Sequence, residues 1–254
     1  MKLLKVKNTL LGDGVPKIIF SLMDGVLDDA LETLELAKKS HVDCIEYRGD
    51  WSLDVMDLEK MKVNAHKIRA ALPDHALLFT FRSIKEGGHR DVEVDYYVEL
   101  NNTLIKTGCL DMVDVESWIG DENVKEIIHC AHQHSVKVIN SYHNFDETPS
   151  QEWMVSLMKH MKDLGADIPK VAVMPKNAKD VLALLAATDE MVHTHGQGPV
   201  LTMSMGKPGV ISRISGELFG SCLTFCAMKA ASAPGQVKVN DAHEIMQMIH
   251  NYMQ

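Results

Sequence analysis

A lysine and a histidine on consecutive apolar runs of this chain have the types and spacing for carbonyl chemistry. Lys170 lies in Ile168-Pro169-Lys170-Val171-Ala172-Val173-Met174-Pro175, a run closed by prolines. Such a run reads as a buried parallel strand. Burial disfavours an ammonium and lowers a lysine's pKa, which frees the amine to attack a carbonyl carbon. The preceding run, Val136 to His143, ends on a histidine that can serve as acid and base. Together they point to Schiff-base catalysis. Taken alone, the pair also has a plainer reading, in which Lys170 snorkels from a strand end and His143 is a capping residue.

The polar residues of the other strands decide between the two. Ser21, Glu46, Arg48, Arg82, Asp114 and Glu116 all fall in apolar runs. Glu46 and Arg48 are two apart, so they face one side of their strand. Many charges in a dry core would go unpaired, and a wet pocket accounts for them better. The mixture of signs suits a polyhydroxylated anion, with cations for a carboxylate and Glu46 for hydroxyls. Glu86 adds a carboxylate in the Lys85-Glu86-Gly87-Gly88 loop. Arg213 follows the turn Gly206-Lys207-Pro208-Gly209, which lacks the spacing of a P-loop, and can hold a phosphate or a carboxylate. The polar loop Ser232 to Gln236 is expected over the same mouth. Met203 and Met205 share a strand face and, with Phe225, are expected to line the pocket. The pairs His132/His134 and His193/His195 fall near helix ends on the opposite face and lack partners at metal-site spacing, so no metal site is expected.

These side chains need a frame that brings strand ends together. The apolar runs are 17–23, 44–48, 77–82, 112–116, 136–143, 168–175, 199–205 and, more weakly, 222–225. They recur at roughly 25–35 residues, the length of one βα unit. Helical patterns fill the gaps: 28–39, 54–72, a segment starting at Thr148-Pro149-Ser150-Gln151 and running to Leu164, 178–187, and 241 to the C-terminus. In the third, Thr148 is expected to cap, with Pro149 at the first helical position. Eight such units predict a single (β/α)8 TIM barrel over residues 1–254, with Lys5 to Asp13 as a short N-terminal hairpin closing its bottom. An open nucleotide-binding sheet has no GxGxxG after the first strand to support it.

Composition narrows the partners. The 254 residues are 46% hydrophobic and 24% charged, with a net charge of -9. That balance argues against nucleic acid and anionic membrane, and leaves a small anionic substrate open. The five cysteines form no CxxC pair and read as buried residues of a reducing compartment. With no signal peptide in view, a cytoplasmic location is expected.

The motifs also carry a resemblance. Pro16 to Met23, Glu46-Tyr47-Arg48, Leu78 to Gly88, Ser141-Tyr142-His143-Asn144-Phe145 and Gly165 to Pro175 resemble, in order, those of type I 3-dehydroquinate dehydratases. Thr202 to Gly206, Gly209 to Arg213 and Ala231 to Gln236 continue the match. The resemblance implies a shikimate-pathway dehydratase that forms an imine between Lys170 and the substrate ketone. It implies His143 as acid and base, with Glu86 fixing its tautomer. It assigns Arg213, Gln236 and Ser232 to the substrate carboxylate, and Glu46, Arg48 and Arg82 to ring hydroxyls, with Ser21 nearby. It further implies no cofactor and a homodimer. Members commonly carry aspartate after the catalytic histidine, where this chain has Asn144, so a shift in the His143 pKa is expected. Two rivals stand beside this reading, a class I aldolase and a binding protein on a decayed barrel.

Overall fold

A computed structural model describes residues 3–228 and 231–254. The chain opens with an antiparallel hairpin, β1 (Leu4–Val6) and β2 (Thr9–Leu11). Eight parallel strands follow: β3 (Lys17–Leu22), β4 (Cys44–Arg48), β5 (Ala76–Thr80), β6 (Met112–Glu116), β7 (Lys137–Asn144), β8 (Ile168–Val173), β9 (Leu201–Ser204) and β10 (Leu223–Cys226). Their order is β10-β3-β4-β5-β6-β7-β8-β9. The two ends of that order meet at a parallel bridge between Val200 and Ser221, where the Cys222 N–H donates to the Val200 carbonyl at 2.9 Å. The sheet therefore closes into the expected (β/α)8 barrel.

The helices sit outside it. They are α1 (Leu27–Ala37), α2 (Leu58–Ala71), α3 (Val94–Ile105), α4 (Asp121–Gln133), α5 (Gln151–Asp163), α6 (Ala178–Asp189), the short α7 (Val210–Ile214) and α8 (Gly216–Phe219), and α9 (Val239–Met253). Strand residues of one parity, such as Ile45, Tyr47, Phe79 and Val113, bury against this helical layer. Residues of the other parity fill the lumen. Its lower part is apolar, with Ile19, Cys44, Leu78, Met112, Ile139, Ile168 and Leu201 in one cluster. Val6 and Leu11 of the hairpin join that cluster, so the hairpin plugs the bottom as its position predicts.

Two helix starts differ from expectation. Helix α2 begins at Leu58, because the Asp57 carboxylate accepts from the N–H groups of Glu59 and Lys60 at 3.1 Å each. Helix α5 is capped by Ser150, whose hydroxyl accepts from the Trp153 N–H at 3.3 Å. Thr148 is not the cap: its hydroxyl donates to the Met174 carbonyl at 3.0 Å instead. All five cysteines are free and buried. No helix of the described residues is long and apolar enough to cross a membrane.

Candidate active site

Strand alternation sends Ser21, Glu46, Thr80, Asp114, Ser141 and Lys170 into the lumen above the apolar floor. Arg48, Arg82, Glu116 and His143 lie two residues further along each chain segment, nearer the C-terminal ends. Every site residue expected from sequence lines one cavity except Ser21, which stands behind Glu46 and Ser232. Lys170, third in β8, points inward and reaches the cavity, as the chemistry of an attacking amine requires.

Lys170 is 3% exposed, and its Nζ donates to Asp114 Oδ2 at 2.9 Å. The Phe225 ring faces the same nitrogen, 4.7 Å from ring centre to Nζ. Burial lowers the lysine's pKa, while Asp114 opposes that shift. Asp114 also accepts from Arg82 Nη2 at 2.7 Å and the Ser141 hydroxyl at 2.6 Å. Its complete burial resists ionisation, but the charges of Arg82 and Lys170 prevail and bring it to about 2. The lysine thus faces a carboxylate that stays ionised through the neutral range.

His143 Nδ1 lies 2.7 Å from Glu86 Oε2. Burial pushes Glu86 up to about 8, against the pull of Arg82. Burial also holds His143 well below its usual range, helped by the positive charges of Arg82, Lys170 and Arg48. When Glu86 is ionised it accepts from Nδ1–H, which leaves Nε2 free to take a proton. The loop carrying Glu86 fits tightly. Gly87 has φ 81°, and a Cβ there would overlap the Phe145 ring.

At the other wall, Arg213 is 3% exposed and spends Nη2 on the Pro234 carbonyl at 3.0 Å. Its Nε and Nη1 are buried with no protein partner. Burial brings its pKa down to about 10. A guanidinium with idle donors at a cavity wall fits a carboxylate. Ser232 and Gln236 bond each other twice, at 2.7 and 2.9 Å, and Ser232 touches Ser21 at 3.1 Å. Glu46 accepts from Ser21 and, at 2.8 Å, from Thr80.

Several assignments gain detail here. Arg82 borders the cavity, yet its donors go to Glu116 at 2.8 Å, Ser141 at 3.0 Å, Glu86 at 3.3 Å and Asp114. It is the cation that binds the buried carboxylates together. Asp114 and Glu116 count among the pocket charges in the sequence but receive no role there, and Ser141, Thr80 and Asp50 are not singled out. The signal was present for two of them: Asp114 and Glu116 are two apart on one strand, as Glu46 and Arg48 are. Asn144 points away from the ring it follows. Its Oδ1 accepts from the N–H groups of Asp146 and Glu147 at 2.9 and 3.0 Å, so it shapes the turn rather than His143. The paired histidines are spent locally: His132 on Asp167, His134 on the Cys130 carbonyl, His193 on Asp189 and His195 on Glu190.

A family model described as Type I 3-dehydroquinase matches residues 18–253. A 3-dehydroquinate dehydratase of Clostridium novyi is 44% identical over 253 residues, covering 100% of both chains. One of Listeria innocua is 47% identical over 245 residues, covering 96% of this chain and 97% of its own. The crystal structure of Type I 3-Dehydroquinate Dehydratase from Clostridium difficile, with covalently modified comenic acid, superposes with a TM-score of 0.96. It is 42% identical and covers 99% of each chain. A barrel with a buried lysine in one cavity with a histidine–glutamate pair, matched by such relatives from end to end, belongs to the type I 3-dehydroquinase family.

Proposed function

We propose that the chain removes water from 3-dehydroquinate to give 3-dehydroshikimate, through an imine on Lys170. The observation that carries this reading is a lysine 3% exposed, paired with an ionised carboxylate, in one cavity with the His143–Glu86 pair. The neutral amine adds to the C3 ketone, and the carbinolamine loses water to form a protonated imine. Asp114, which faced the ammonium, then faces the iminium and stabilises it equally well. The iminium draws electrons from C2, and His143 Nε2 removes the C2 proton, giving an enamine. The enamine expels the C1 hydroxyl, which leaves as water with the proton His143 has just taken. Removal and delivery from one ring make the elimination syn. Hydrolysis of the imine frees the product and restores Lys170.

The rest of the pocket orients the ring. Arg213, with Ser232 and Gln236, holds the substrate carboxylate, which supplies the acceptor its idle donors need. Glu46 and Arg48, backed by Ser21, address the hydroxyls, while Arg82, whose donors are spent on the buried carboxylates, holds that wall of the pocket in place. Met203, Met205 and Phe225 supply the apolar wall. The imine is its own electron sink, so the reaction needs no metal or organic cofactor. The covalent ligand of the Clostridium difficile relative is consistent with a nucleophile in this pocket. The same reading makes residues 1–254 a single catalytic domain that works as a homodimer in the cytoplasm, with no nucleic acid or membrane as partner. Light scattering on the purified chain tests the dimer.

Borohydride tests the chemistry. Mixing the protein with 3-dehydroquinate and reducing it is expected to leave a stable adduct on Lys170, located by peptide mass spectrometry. Product without adduct would replace the imine by a non-covalent elimination. Neither product nor adduct would mean a different substrate.

A further inference from the structure

Asp50 is fully buried and stands outside the cavity wall. Its carboxylate nevertheless accepts four hydrogen bonds that converge from three places. Arg48 gives two, Nε to Oδ1 and Nη2 to Oδ2, each at 2.8 Å. The backbone N–H of Arg82 gives one to Oδ1 at 3.3 Å, and that of His89 gives one to Oδ2 at 3.0 Å. Residues 82 and 89 are the two ends of the loop that carries Glu86. Inside that loop the Gly88 N–H donates to the Ser83 carbonyl at 2.7 Å, and a Cβ on Gly88 would overlap the Arg82 carbonyl. The neck is therefore closed, and Asp50 is its clasp. Trp51, the next residue, stacks on the His89 ring with centroids 4.3 Å apart. Gly49, the residue before, packs its backbone on Phe79 so closely that no side chain would fit.

We propose that Asp50 is a positioning residue for the dehydration: one buried carboxylate aims Arg48 into the cavity and holds the Glu86 loop at the distance its bond to His143 requires. This inference rests on the function proposed above. Its chemistry is specific to a carboxylate. All four partners are donors, two on each oxygen, so only a group that accepts on both sides satisfies them. Asparagine would turn an NH2 group toward two of those donors and leave them unpaired in a dry site. The loop would settle elsewhere, and a small displacement of a proton-transfer group is costly to turnover. Arg48 would lose the fork that fixes its direction, which weakens binding as a separate effect.

The test compares Asp50→Asn with the parent chain, with turnover counted per borohydride-trapped Lys170. Counting trapped sites removes any loss of folded protein from the result. The expected outcome is a kcat per site lower by about tenfold or more, a raised KM, and a displaced acid limb in the kcat/KM profile. A kcat per site within about twofold of the parent, with an unmoved pH profile, would reduce Asp50 to an ordinary structural residue. Should Asp50→Asn fail to fold, His89→Pro, read against His89→Ala to allow for the lost ring stack on Trp51, removes the His89 N–H and leaves the Arg48 fork. It is expected to lower kcat and move the pH profile with KM nearly preserved, and no change in either quantity would overturn the proposal. The parent chain separates the two readings: no adduct on Lys170 there defeats the imine, whereas equal trapping with equal turnover in both chains defeats only the role of Asp50.

Discussion

At the scale of single residues, the site sets stability against activity at Glu86. Its folded pKa is raised to about 8, chiefly by burial. An unfolded glutamate titrates near its ordinary value of about 4.3. Between those values the folded chain holds a proton that the unfolded chain has released, so stability declines as pH rises and levels off above the folded pKa. Glu86→Gln cannot ionise and escapes the decline. Its melting temperature should therefore gain on the parent from about pH 5 to about pH 8, while its kcat drops because Nδ1 of His143 loses its carboxylate. An equal difference at both pH values would show that burial does not hold the proton on Glu86. Activity follows the same titration in the opposite sense. On the proposed mechanism His143 takes a proton only once the pair has given one up, so kcat/KM of the parent should climb toward about pH 8. Sequence singles out Lys170 and His143 because their types are rare in apolar runs, whereas Glu86 takes its expected role from the family resemblance. Sequence left Asp114 without a role because the partner that explains it, Lys170, lies 56 residues away.

At the scale of elements, the alternation of each strand was the most readable signal and the helix starts the least. The runs 44–48 and 112–116 coincide with β4 and β6. The reason is that a two-residue period is set by the backbone itself, so apolar and polar positions sort by face without knowledge of neighbours. A cap depends on which of several nearby hydroxyls is free. At α5 both Thr148 and Ser150 precede the helix, and the Met174 carbonyl, brought close by the next strand, claims Thr148. No local pattern carries that information. The two hydroxyls consequently make unequal contributions. Ser150→Ala should cost about 1 kcal/mol in urea unfolding, the usual worth of a serine cap. Thr148→Ala removes a single bond outside the helix and should cost less. The reverse order would return the cap to Thr148.

At the scale of the whole molecule, the barrel is stitched unevenly. Most neighbouring strands pair over three to six registered positions, whereas β9 and β10 meet at the Val200–Ser221 bridge alone among the described residues. Ser221 does much of the joining. Its hydroxyl accepts from the Thr202 N–H at 3.1 Å and approaches the carbonyls of Thr202 and Leu223 at 3.3 Å each. The seam borders the site, since Met203 and Met205 stand on one side of it and Phe225 on the other, all lining the cavity. A ring of strands is only as rigid as its weakest junction, and opening there releases the fewest backbone bonds. Ser221→Ala leaves the buried Thr202 N–H without an acceptor, a loss of about 1–3 kcal/mol. Hydrogen exchange should then show Leu201–Ser204 and Leu223–Cys226 losing protection first, while β4 to β8 keep theirs. KM should rise with it, because the apolar wall and the Phe225 face over Lys170 both depend on that closure. Uniform loss of protection around the barrel would mean that the ring opens as one cooperative unit and that the seam is no softer than the rest.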